Sequence, residues 1–465
     1  MMNVNKEELD ALRSELTYKR KNVYSCVTEE EIEKISEYAK GYCSYLDNAK
    51  TEREAVKTSI SIAEANGFVE YSFGDKLEIG GKYYYNNRGK SLYLFVIGSE
   101  NLENGIRISA AHIDSPRLDL KQNPVYEEGN MGFFKTHYYG GIKKYQWTAM
   151  PLALHGCIIT GEGKSIDVCI GEDENDPVFY INDLLPHLGR DQMSKPASQV
   201  IPGEKLNILV GSIPLGEDSS DIKLGILKLL NEKYGIKEED FLSAEISAVP
   251  AFKARDIGFD RSIIGAYGHD DRVCAYPALS AIIETKAPVH TLMTILADKE
   301  ETGSGGNTGM RSDIFTDLIA EISVAMGANE RLVKANSKCL SADVNAAYDP
   351  NFADVYEARN SALLNCGVVM SKYTGSGGKS GTSDASAEMV AFVRNLFDKE
   401  GVIWQSAELG KVDQGGGGTV AIYVADHNID VVDLGVGVIS MHAPYEAISK
   451  ADLYMTYKAF LAFNK

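Results

Sequence analysis

The alternation of apolar and polar positions predicts an N-terminal helical layer followed by short buried strands. Residues 29–66 read as two helices. Thr51 and Glu54 form a capping-box signature at the start of the second, and Gly67 sits where a left-handed residue ends a helix. Residues 92–97 are the densest apolar run, strand-sized. Residues 106–110 and 292–297 are further strand candidates, the last followed by acidic residues and glycines. With helical stretches such as 385–397 between them, these segments predict an α/β fold, a mixed central sheet flanked by helices.

The middle of the chain has a different texture. Short strand candidates, Tyr and Gly clusters such as YYGGIKKYQW and the loop-like SKPASQVIPGEKLN occupy residues 119–247. This segment is expected to be an inserted, mostly β domain, leaving residues 1–118 and 248–465 as the main α/β domain. At about 150 residues per domain, 465 residues accommodate that division.

Composition narrows the function. Sixty-six acidic residues against 47 basic give a net charge of −19, which repels a phosphate backbone, so nucleic acid is not an expected partner. No apolar run reaches the roughly 20 residues that cross a bilayer, and the first 21 residues lack the hydrophobic stretch of a secretion signal. A cytoplasmic protein without membrane association is expected. The seven cysteines are odd in number and contain no C-x-x-C pair, which suggests neither a disulfide framework nor a thiolate zinc knuckle. The run TGSGGKSGTS imitates a phosphate-binding loop, but Tyr373 stands where its first glycine is required. The glycine run 415–418 offers either a close backbone approach to a substrate peptide or a plain flexible loop.

Candidate chemistry lies in five strings at the ends of predicted strands: AHIDSP with His112 and Asp114, GHDDR with Asp270, DKEETGS with Glu300 and Glu301, SADVN with Asp343, and SMHAP with His442. Each alone is a weak signal. In an open α/β sheet, loops at the carboxyl ends of strands bring such distant residues together. Imidazole and carboxylate donors without thiolate suit a catalytic, water-accessible zinc, cobalt or manganese site. Two divalent ions would balance Asp270, Glu301, Asp343 and a bridging hydroxide. Asp114, two residues from His112, is placed to accept the imidazole's second N–H. Of the adjacent Glu300 and Glu301, one can ligate while the other serves as general base.

In this order the strings resemble the aspartyl aminopeptidase family, zinc exopeptidases that include yeast vacuolar aminopeptidase I, over nearly the whole chain. The resemblance implies a metal-dependent aminopeptidase acting on peptides with a free N-terminus, with two divalent ions per subunit, Zn2+ before Co2+ or Mn2+. It implies His112 and Asp343 on one ion, Glu301 and His442 on the other, and Asp270 bridging. Glu300 becomes the base and Asp114 the residue orienting His112. It further implies a cis peptide after Asp270, a dimerisation role for the insertion and a tetrahedral dodecamer. Acid-preferring members carry a second histidine four residues after the histidine of a Pro-His-Leu string. Here Asp191 occupies that position, which predicts a neutral or basic preference, whereas Lys372 matches a lysine of the acid-preferring members. Another dinuclear-metal hydrolase, such as an amidase or deacetylase, and a non-catalytic metal-binding shell protein are the alternative readings.

Overall fold

The computed structural model describes residues 5–216 and 221–465. Its centre is a nine-stranded mixed sheet whose order, edge to edge, is Val69–Glu70, Lys82–Asn87, Ser91–Val96, Thr291–Ala297, Ile106–His112, Lys338–Ala342, Asp430–Gly435, Val368–Ser371 and Trp404–Ser406. Four neighbours in the middle, beginning at Thr291, Ile106, Lys338 and Asp430, run parallel, and antiparallel strands flank them. Thr291–Ala297 is buried along its whole length, as expected of a strand with helices on both faces.

One face packs under helices Glu29–Asp47, Glu52–Ala65, His269–Glu284, Ala387–Glu400 and Lys450–Phe463. The other packs under Ile314–Ala325, Glu330–Asn336 and Ala421–Ala425. The second helix opens with the anticipated reciprocal Thr51–Glu54 cap, and Gly67 takes φ +83° just beyond its end. A further helix, Lys6–Leu16, buries none of its residues. Among the described residues, no helix is long and apolar enough to cross a membrane.

A second sheet, seven-stranded and antiparallel, is built between Arg117 and Pro250. Its order is Ser165–Ile170, Leu152–Ile159, Ala244–Pro250, Arg117–Glu128, Met131–Tyr139, Ile208–Gly211 and Tyr180–Ile181. It has its own core around Trp147, Leu152, Phe134 and Ile246 and, among the described residues, carries one substantial helix, Ile222–Tyr234. Its first and last strands along the chain, Arg117–Glu128 and Ala244–Pro250, begin and end two to three residues outside 119–247, and Leu118 and Ala248 pair across the entry and exit of the insertion. A third, five-stranded sheet links Arg255–Ile257, Ile263–Ala266, Glu446–Ser449, Gly437–Ile439 and Asn345–Ala346.

The glycine run 415–418 packs against other loops. A Cβ on Gly415 would meet the Leu409 carbonyl oxygen at 2.1 Å, and one on Gly416 would meet the Ser376 Cα at 2.6 Å. Glycine is required there for backbone to lie on backbone.

Candidate metal centre

The parallel strands of the central sheet deliver their carboxyl ends to one place. His112 is the last residue of its strand. Asp343 directly follows Lys338–Ala342, and Glu300 and Glu301 sit in the 3-10 turn just after Thr291–Ala297. His442 follows Gly437–Ile439 with φ +64°. Asp270 is not at a strand end as the sequence suggested. It lies in the first turn of helix His269–Glu284, where it and Asp271 depart from helical dihedrals and are joined by a cis peptide.

Asp270 occupies the middle. One carboxylate oxygen is 3.1 Å from His112 Nε2, and the other is 3.0 Å from His442 Nε2. Around His112 stand Asp343 and Glu300, each with an oxygen 3.9 Å from Nε2. Beside His442 stands Glu301, 3.5 Å from its Nε2. His112, Asp270 and Glu301 are almost fully buried, whereas His442 is about a third exposed. The cluster thus has a closed floor and an open rim.

Asp114 works through two sets of contacts. The strand ends at His112, so Asp114 lies in the turn beyond it, and the His112 Nδ1–H donates to the Asp114 backbone oxygen at 3.0 Å, with the carboxylate at 3.3 Å. The carboxylate accepts the backbone N–H groups of Glu300 and Glu301 at 3.1 and 3.2 Å. It also accepts the Tyr139 hydroxyl at 2.7 Å. One side chain therefore orients an imidazole and holds the turn bearing both glutamates.

Several residues the sequence reading passed over complete the frame. The Ser115 hydroxyl donates to the Asp270 carbonyl at 2.6 Å. The His442 Nδ1–H donates to the Gly141 carbonyl at 2.8 Å. Tyr139 and Gly141 come from the inserted sheet and the loop after it, within the Tyr-Gly cluster that had been noted only as texture. Gly140 between them must stay small and left-handed: its φ is +73°, and a Cβ there would press on Glu301 at 3.3–3.4 Å. Glu446 is buried beneath the cluster and accepts backbone N–H groups from Asp270 and His442. Its only sequence signal was an acidic residue at the start of the short strand Glu446–Ser449.

Lys372 pairs with Asp384 at 2.5 Å in a half-exposed position. Asp191 is exposed on the turn Arg190–Met193 of the inserted sheet. Neither belongs to the donor groups gathered around Asp270.

The electrostatics ask for a cation. Burial disfavours charge on His112, but Asp114 and Asp270 outweigh it and hold its pKa well above the imidazole range. Burial likewise opposes protonation of His442, yet Asp270 and Glu301 push it up to about 10. Burial, then crowding by Asp270 or Glu300, raises Glu301 and Asp343 well above the carboxylate range. One oxygen each of Asp270 and Glu301 is buried with no hydrogen-bond partner. Such orphaned acceptors are costly unless something positive meets them, and imidazole with carboxylate is a zinc-binding donor set. The residues present fit divalent metal.

Comparison with known proteins agrees. The family model described as aminopeptidase I zinc metalloprotease (M18) matches residues 45–464. The chain belongs to the M18 family of zinc aminopeptidases. A probable M18 family aminopeptidase 1 of Clostridium acetobutylicum is 50% identical to this M18 enzyme over 460 residues, covering 97% of this chain and 99% of that one. The crystal structure of an M18-family aminopeptidase from Thermotoga maritima matches it with a TM-score of 0.92 at 44% identity, covering 97% of this chain and all of the other. The mApe1 dodecamer of Saccharomyces cerevisiae, 21% identical, shares the fold with a TM-score of 0.75, covering 92% and 96%. The enzyme is thus an aminopeptidase with the zinc exopeptidase fold, as the resemblance implied.

Proposed function

We propose that this aminopeptidase removes N-terminal residues from peptides at a dinuclear centre organised by Asp270. The observation that carries the reading is a single carboxylate flanked by two imidazoles, one on each oxygen, with further carboxylates behind each. His112 and Asp343 would hold one ion, Glu301 and His442 the other, and Asp270 both. Zinc is the metal of the family, and the same donors accept cobalt or manganese. When bound, the ions supply Lewis acidity to the scissile carbonyl and a nucleophile at neutral pH.

The chain's own groups do the rest. Glu300 is not needed as a bridge, and its carboxylate lies at the rim, 18% exposed. Burial, reinforced by Asp270 and Asp114 and partly offset by His112, raises its pKa, which suits a group that takes a proton from the attacking water and returns it to the leaving amine. Asp114 fixes the direction of Glu300 through its backbone N–H.

The substrate preference proposed is neutral or basic. Lys372 has its charge answered by Asp384, and Asp191 brings a carboxylate to the position where acid-preferring enzymes carry histidine. Residues 119–247 would form a dimerisation domain within a tetrahedral dodecamer. The shared fold of the yeast dodecamer and exposed apolar side chains on this segment, Leu188, Met193 and Ile213 among them, support that assembly. All seven cysteines are free thiols, which accords with a cytoplasmic site of action.

The test is kcat/KM on Asp-, Leu- and Lys-arylamides, before and after metal removal and zinc restoration. Activity that is lost with metal, returns with zinc and favours Leu or Lys is expected. Strong Asp preference defeats the specificity reading, and metal-independent turnover defeats the mechanism.

A further inference from the structure

A second group of donor side chains lies away from Asp270, on the seam between helix Glu52–Ala65 and the seven-stranded sheet. Glu54 on the helix, His155 on Leu152–Ile159 and Cys169 on Ser165–Ile170 each offer a donor atom within 4.8 Å of the other two. His155 and Cys169 are directly opposed across the strand pair, so the pleat puts both on one face. We propose that these three residues form a separate, thiolate-containing site for a borderline-soft dication, Zn2+ or Cd2+.

The histidine is already arranged as a ligand. Its Nδ1 faces Glu54 Oε1 at 2.7 Å, while its Nε2 faces Glu172 Oε1 at 3.0 Å. A carboxylate that takes the far N–H fixes the tautomer and aims the other nitrogen's lone pair at the ion. Glu172 is itself held by Lys50 at 2.5 Å and Lys253 at 2.9 Å. Glu54 divides its work: Oε2 accepts the Thr51 N–H of the helix cap, and Oε1 is directed at the site.

The donors match the charge of the ion. Without an ion the ring sits between two carboxylates, opposite Cys169. A dication bound through the ring nitrogen and the sulfur displaces any proton they carry to solvent, and its two positive charges are met by the Glu54 carboxylate and the thiolate. Imidazole, carboxylate and thiolate together favour Zn2+ and Cd2+ over Mg2+ or Ca2+. His155 is buried and Cys169 exposed, leaving an open side for entry and for water to complete the shell.

The experiment is titration of the purified holoenzyme with Cd2+, following the ultraviolet cadmium–thiolate charge-transfer band. The Asp270 cluster contains no sulfur donor, so metal exchange there produces no such band and the result is independent of the mechanism proposed above. Wild type is expected to saturate with one thiolate-bound cadmium. Cys169→Ser should lose the band, and Cys26→Ser, at an exposed thiol outside any donor group among the described residues, should keep it. Glu54→Gln keeps a capping side chain and should weaken binding about tenfold or more. No band in wild type, a band that survives Cys169→Ser, or equal affinity in wild type and Glu54→Gln would each overturn the site.

Discussion

The Glu446 carboxylate accepts the backbone N–H of His442 at 2.7 Å through one oxygen and, through the other, that of Asp270 at 3.1 Å. A single buried carboxyl group thus ties together two positions that are 172 residues apart in sequence and face each other across the cluster. Glutamine offers only one acceptor oxygen, so Glu446→Gln must turn an amide N–H toward one of these donors. We expect a folded enzyme whose metal affinity falls about 10–100-fold, the range for supports behind metal ligands, read by chelator competition. Unchanged affinity would remove Glu446 from the frame.

Glu300→Gln should separate binding from chemistry. The amide keeps the shape but cannot hold and return a proton, so kcat should fall about 10²–10⁴-fold while metal content stays at the wild-type value. Near-normal kcat would mean that another group is the base.

Tyr139→Phe removes one hydroxyl and leaves the ring on which the Arg117 guanidinium stacks, 4.1 Å from the centroid. Hydrogen bonds to charged groups contribute about 1.5–3 kcal/mol. The expected loss in kcat/KM is about tenfold, with Tm little changed. A large fall in Tm without a change in kcat/KM would make the contact purely structural.

His155 predicts a pH dependence of stability that is separate from catalysis. Burial opposes its protonation, but Cys169 beside the ring and the Glu172 and Glu54 carboxylates hydrogen-bonded to it raise its pKa to about 11. Lys50 and Lys253 also face the group through Glu172. A pKa raised by folding gives stability that is complete below the unfolded value near 6.5 and is lost as pH rises through the folded value. Metal-free Tm should therefore decline between about pH 6.5 and 11, and His155→Gln should flatten that decline. Parallel curves for the two proteins would contradict the assignment.

The strands and helices that bury one face or both were legible because burial imposes periodicity. The run at 92–97 is the strand Ser91–Val96, and the helix expected at 385–397 is Ala387–Glu400. Helix Lys6–Leu16 has its own Asn5–Glu8 cap and a Leu9, Leu12, Leu16 stripe, a signal the sequence reading did not use, and the structure leaves that stripe exposed. The seven residues expected to carry metal chemistry do converge, since His and carboxylates at strand ends leave a local trace in sequence. Asp270 was misplaced at a strand end because Gly268-His269-Asp270 begins a helix without any side-chain cap. Glu446, Tyr139 and Gly141 could not be given roles from the sequence, because their partners are brought close only when three sheets meet.

Anomalous diffraction at the zinc edge from crystals of the zinc-loaded enzyme tests the dinuclear reading most directly. Two peaks per subunit are predicted at the Asp270 cluster, one on the His112–Asp343 side and one on the Glu301–His442 side, and Asp270→Ala should lose both. A single peak there, or two that persist without Asp270, would contradict it.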